Sequence, residues 1–116
     1  MTEYDEQCAV FRWAKMMEKK HPELALLNSS LNGVKLNIGQ AVKAKRSGMK
    51  AGYPDILLPV PRGDFHGLFI ELKYGNNVAS KEQREWLVML SEQGFLCHVC
   101  WGADNAIRAI EEYLWL

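Results

Sequence analysis

No apolar run in this 116-residue chain approaches the roughly 20 residues that a membrane-spanning helix needs, so no membrane partner is expected. The first residues, Met1-Thr2-Glu3-Tyr4-Asp5-Glu6, lack the basic start of a secretion signal. Cysteines number only 3, an odd set that fits a reducing cytoplasm better than a disulfide framework. Net charge is also missing, so overall basicity announces no polyanionic partner. Repeats, low-complexity tracts and interdomain linkers are absent, and residues 1–116 read as one domain with a single core. With 48% hydrophobic and 24% charged residues, the balance excludes an intrinsically disordered chain.

One further absence is local. Between Leu24 and Pro54 there is no Asp or Glu, yet Lys35, Lys43, Lys45, Arg46 and Lys50 all fall there. Cations gathered in this way can track a phosphate backbone, with an affinity that falls steeply as salt rises. A solvated helix face is the plainer alternative.

What the chain does contain is an acid at the start of one apolar run and a charged pair inside a second. The first reads Gly52-Tyr53-Pro54-Asp55-Ile56-Leu57-Leu58, the second Phe69-Ile70-Glu71-Leu72-Lys73. Side chains alternate along a strand, so Glu71 and Lys73 share one face and Ile70 and Leu72 the other. If the two runs are neighbouring strands, Asp55, Glu71 and Lys73 converge at one end of a sheet. Two carboxylates suit a hard divalent cation such as Mg²⁺, and the main-chain carbonyl of Leu72 could add a third oxygen. A cation held there would polarise a phosphodiester and make a nucleophile accessible near neutral pH. The Lys73 ammonium would orient the attacking water or balance charge on the phosphorane; general-base work is the less favoured role.

Each piece has a plain reading. Tyr53-Pro54-Asp55 could be only a turn, and Glu71-Leu72-Lys73 only the solvated face of an edge strand. Together they weigh differently. Leu68-Phe69-Ile70 is apolar at every position, as in a strand buried on both faces, and an unpartnered Glu there would be costly. Cys97-His98-Val99-Cys100 has metal-like spacing, but Cys97 and Cys100 face opposite ways on a strand and no second cysteine pair completes a zinc site. Core packing explains them better.

Periodicity predicts a helix over Glu3–Lys20 with Thr2 as N-cap, ended by His21-Pro22, and a strand over Ala25–Ser29 before the turn Asn32-Gly33. A helix is expected over Asn37–Ser47, strands over Asp55–Val60 and Leu68–Tyr74 joined by a hairpin-like loop, and a helix over Ser80–Gln93 stopped by Gly94. A strand over Phe95–Trp101 and a helix over Ala103–Trp115 follow. The order αβαββαβα implies an α/β fold, a mixed central β-sheet flanked by helices.

With these parts in place, the chain resembles the PD-(D/E)XK nuclease superfamily, and within it the virus-type replication-repair nuclease (VRR-NUC) domain. The matching pieces are Glu3-x-x-x-Gln7, Asn32-Gly33, Gly52-x-Pro54-Asp55, Glu71-x-Lys73 and Ser80-x-x-Gln83 with Trp86-Leu87, and lastly the Gly94 turn before Phe95. They span nearly the whole chain in the right order. The resemblance implies that Asp55 and Glu71 bind Mg²⁺ or Mn²⁺ and that Lys73 orients the nucleophilic water. It adds Gln83 as a residue lining the site, although Ser80-x-x-Gln83 is equally a capping box. It adds Glu3 as a first-helix acid, with Glu6 the neighbouring alternative; surface solvation, or stabilisation by the helix dipole, would explain either without a metal. Small stand-alone members occur in phages and bacteria, resemble junction-resolving enzymes and pair as homodimers. The resemblance therefore implies an endonuclease for branched DNA, such as Holliday junctions, in DNA repair or processing. A monomeric flap nuclease and a non-catalytic DNA-binding subunit are the alternatives. The first helix, Tyr113 and Trp115 could form a dimer face or close the monomer's own core.

Overall fold

The computed structural model describes all residues, Met1–Leu116. Helix α1 spans Glu3–Met17 and begins on a capping box in which Thr2 and Asp5 satisfy each other's backbone N–H groups. Strand β1 is Asn28–Ser29, helix α2 is Ile38–Arg46, strand β2 is Ile56–Leu58 and strand β3 is Leu68–Lys73. Helix α3 covers Lys81–Glu92, strand β4 Leu96–Trp101 and helix α4 Ala103–Leu114. The sheet order is β1-β2-β3-β4, with β1–β2 and β2–β3 antiparallel and β3–β4 parallel. This is the mixed sheet flanked by helices that the element order implies.

One expected element changes character. The strand anticipated over Ala25–Ser29 shrinks to Asn28–Ser29, and a short 3₁₀ helix occupies Pro22–Leu26. Pro22 sits at the first helical position, where its fixed backbone angle favours a turn. Glu-Leu-Ala-Leu behind it carries no β-branched residue to favour extension. The first helix is also shorter than predicted, because the chain turns at Met17, whose carbonyl accepts from the N–H groups of Lys20 and His21.

Val10 and Ala14 of α1 pack with Ala106, Ile110 and Tyr113 of α4 against Ile56, Leu58, Leu68, Ile70 and Leu72 of the sheet. All of β3 is buried, in agreement with its unbroken apolar start. The opposite face of β3 carries an aromatic cluster, to which α3 contributes Trp86. Phe69 stacks edge-on with Tyr53 (5.5 Å) and Phe95 (5.1 Å), and Tyr53 with Trp86 (5.1 Å). Glu71 and Lys73 alternate onto this second face, one and two pleats beyond Phe69.

Cys100 is buried and Cys97 half-buried; burial pushes both thiols up to about 11, where they stay protonated and pack as small apolar groups. Tyr113 is 1% exposed and donates its hydroxyl to the Val60 carbonyl (2.6 Å), so it closes the monomer's own core. Trp115 stands 78% exposed. No helix is long and apolar enough to cross a membrane.

Candidate active site

The site is built on a mismatch between strand lengths. β2 begins at Ile56, paired with Ile70, while β3 runs on to Lys73. Extending the register would set Leu72 opposite Pro54, which has no N–H to offer. Asp55 takes over instead: its Oδ2 accepts from the Leu72 N–H at 2.8 Å. On an antiparallel edge a residue's N–H and C=O leave on the same side. The Leu72 carbonyl therefore faces the same notch, while the Lys73 carbonyl turns to the other edge and accepts from Gly102. The Asp55 carbonyl is itself held by the Ser30 N–H at 2.9 Å.

Into this notch come Glu71 and Lys73 from β3 and Glu3 from the first turn of α1. Carboxylate oxygens of Glu3, Asp55 and Glu71 lie within 4.8 Å of one another. Asp55 is 6% exposed, Glu71 1% and Lys73 7%. Lys73 Nζ lies 3.5 Å from Glu71 Oε2, whereas Glu71 Oε1 is buried with no hydrogen-bond partner. Burial, with the neighbouring Asp55 charge adding, pushes the Glu71 carboxyl up to about 8; Lys73 opposes the shift. Burial also raises Glu3, with Lys73 opposing and Asp55 adding. A buried carboxylate oxygen left unpartnered beside two further acids is a costly arrangement. The donor set fits a divalent cation, since three carboxylates face one ammonium and every donor is a hard oxygen.

Three acids crowd the first turn of α1, and each has its own task. Asp5 completes the cap on Thr2. Glu6 Oε2 accepts from the Ala103 N–H at 3.0 Å, capping α4, whose own N-cap position is Gly102 and has no side chain to do so. Glu3 alone reaches the acid cluster. Gln7, one turn further, donates to Ser29 Oγ at 2.9 Å and ties α1 to β1.

Gln83 forms the capping box with Ser80, its Oε1 accepting from the Ser80 N–H (2.8 Å) and its N–H donating to Ser80 Oγ (3.1 Å). It makes no hydrogen bond to Asp55, Glu71 or Lys73, so its structural role is the one the geometry displays. The basic residues Lys35, Lys43, Lys45, Arg46 and Lys50 are all exposed, and none forms an ion pair. Helix α2, which carries three of them, buries no residue. Sequence reasoning missed how this excursion is attached. Asn32 Nδ2 donates to the Tyr53 carbonyl at 3.2 Å, so the basic segment starts and ends beside Asp55. Its far end is pinned by Trp86, which donates to the Ala51 carbonyl at 2.9 Å. Gly52 has φ +81°, and a Cβ there would meet Glu82 Cγ at 2.9 Å, so only glycine permits this approach to α3. The glycine and proline around position 53 were the available signal.

The VRR-NUC domain family matches residues 2–104. This chain belongs to the VRR-NUC family. A solved structure described as a "VRR_NUC domain protein" is 36% identical, with a TM-score of 0.83; the match covers 100% of this chain and 90% of that one. No significant match emerges among curated proteins. The VRR-NUC fold is a nuclease-like fold, and the acid cluster of this VRR-NUC chain lies where its sheet, first helix and basic excursion meet.

Proposed function

We propose that this VRR-NUC domain is a Mg²⁺- or Mn²⁺-dependent endodeoxyribonuclease that cuts branched DNA such as four-way junctions, in the cytoplasm of a bacterial or phage-infected cell. The observation that carries the reading is the buried, unpartnered Glu71 Oε1 within a cluster of three acids beside Lys73. A divalent cation bound there would supply Lewis acidity at the scissile phosphate and a nucleophile near neutral pH. Asp55, Glu71 and Glu3 would hold it, with the Leu72 carbonyl as a further oxygen. Asp55 cannot swing away, because its second oxygen is committed to the Leu72 N–H. Lys73 donates a hydrogen bond that orients the attacking water and offsets charge growing on the phosphoryl oxygens. Gln83, half-buried behind its cap, adds a side-chain amide N–H to the substrate. Lys35, Lys43, Lys45, Arg46 and Lys50 track the DNA backbone.

A two-fold symmetric substrate suits a two-fold symmetric protein, so the working form in this reading is a homodimer. Exposed Trp115 offers it an apolar anchor that Tyr113 does not. The test is a synthetic four-way junction incubated with Mg²⁺ or Mn²⁺, with light scattering of the protein alone. Paired nicks and a dimeric mass support the reading. Flap cutting by a monomer would replace it with the plainer nuclease. DNA binding with no cutting of any substrate in either metal would leave a non-catalytic DNA-binding subunit.

A further inference from the structure

A cavity of about 240 Å³ opens between the first two turns of α1 and the loop after β1, lined by Glu3, Tyr4, Gln7, Phe11, Leu31 and Val34 among others. It adjoins the acid cluster. Glu3 belongs to both, and Gly33, also on its wall, leaves room where a Cβ would sit 4.0 Å from Asp55 Oδ1. Its walls are mostly apolar, and Tyr4, Leu31 and Val34 remain exposed around it. Leu31 is held there with φ +64°, a left-handed conformation that a leucine rarely adopts.

The charge on the walls narrows the class of occupant. Glu3 is the only charged side chain lining the cavity and no cationic one is there to pair with a phosphate, so a neutral group is favoured. One polar group is oriented within it: Gln7 commits its Nε2 to Ser29 Oγ, which leaves its Oε1 free to accept. An exposed aromatic ring, apolar walls and an oriented acceptor are what a nucleobase uses, through stacking and an edge hydrogen bond.

We infer that this cavity receives the base of an unpaired nucleotide next to the scissile phosphate, and so selects DNA in which that base is free. The inference rests on the nuclease reading and deepens it. A base-paired nucleotide cannot enter without breaking its pair and its stack, whereas a nucleotide at a branch point, flap or bulge enters unopposed.

The test uses branched DNA carrying 2-aminopurine, or an abasic site, at the nucleotide beside the mapped cut. Binding is read by fluorescence in EDTA, where nothing is cut, and cleavage is read separately in Mn²⁺. Seating in the cavity shifts 2-aminopurine emission with the wild-type protein, and Tyr4→Ala or the cavity-filling V34W removes the shift. The abasic site lowers wild-type kcat/KM about tenfold but leaves Tyr4→Ala no worse than it already is. Both side chains are exposed, so neither change threatens the fold. If emission and cleavage are the same in wild type and both variants, the cavity inference falls while the nuclease stands. If no DNA is cut but the emission shift remains, the nuclease reading falls and a base-binding cavity survives. A drop from dimer to monomer in V34W alone would mean that a second copy covers the cavity, and would overturn the inference.

Discussion

Asp55, Glu71 and Lys73 are each less than a tenth exposed, whereas Lys35, Lys43, Lys45, Arg46 and Lys50 all stand in solvent. The two regions are joined at Asn32 and Tyr53, yet they are built by opposite rules. In the acid notch Glu3, Glu71 and Lys73 arrive from a helix and a strand held by backbone hydrogen bonds, and Asp55, just ahead of β2, is fixed at both its carbonyl and its carboxylate. The basic excursion carries a helix with no buried residue and charges with no partners. Coordination demands oxygens at set distances, which only a packed scaffold supplies. Attraction to a phosphate backbone depends on how many cations are near and far less on where each one points.

The sharpest way to break the comparison is to remove a side chain from the notch. Asp55→Ala or Lys73→Ala should lower single-turnover nicking by about 10²–10³-fold while DNA affinity in a gel shift changes little. Normal cutting by either variant would remove the site assignment.

The protonation of Glu71 comes next. Its folded value of about 8 lies above the ordinary carboxyl value of 4.5, so the metal-free fold holds a proton that the unfolded chain has released. That stabilisation is complete below about pH 4.5 and is lost as pH climbs through about 8. Thermal unfolding in EDTA should therefore show stability falling by roughly a few kcal/mol over this window. Saturating Mn²⁺ should reduce the loss by taking the proton's place, and E71Q should flatten the EDTA curve. A metal-free protein equally stable across the window would contradict the burial argument.

The basic excursion should respond in the other way. Replacing Lys43, Lys45 and Arg46 together with Ala should weaken binding and reduce the slope of log K against log salt by about 0.9 for each phosphate no longer neutralised. Nicking at saturating protein should be unchanged. An intact salt slope would reduce these residues to a solvated face.

The smallest expected effect separates the two roles of Gln83. Loss of its capping bond in Gln83→Ala should cost about 1 kcal/mol in denaturant unfolding. A further drop in nicking beyond the stability change would place its amide in the site, and unaltered nicking would leave it a cap.

Much of this could be read along the chain because it is local. Ser80 and Gln83 cap a helix by spacing alone, and the apolar stretch before Glu71 foretold a strand buried on both faces. Asp55, Glu71 and Lys73 could be grouped because one short loop joins two antiparallel strands. The Ala25–Ser29 strand failed because Pro22 imposed a turn whose influence runs past the residues that look extended.

The choice between Glu3 and Glu6 lay outside any such reading. Both sit on the first turn of one helix, and their fates part only because α4 brings the Ala103 N–H to Glu6 and the β2–β3 notch leaves room for Glu3. Tyr113 and Trp115, near neighbours in an aromatic tail, divide in the same way between core and solvent. Residue types and short spacings settled the family and the chemistry of the donors, because hydrogen-bonding capacity, charge and turn preference belong to the residues themselves. Which acid reaches the cluster, and how a basic loop closes beside it, waited on the meeting of segments far apart in the chain, which happens only when the helices and sheet pack together.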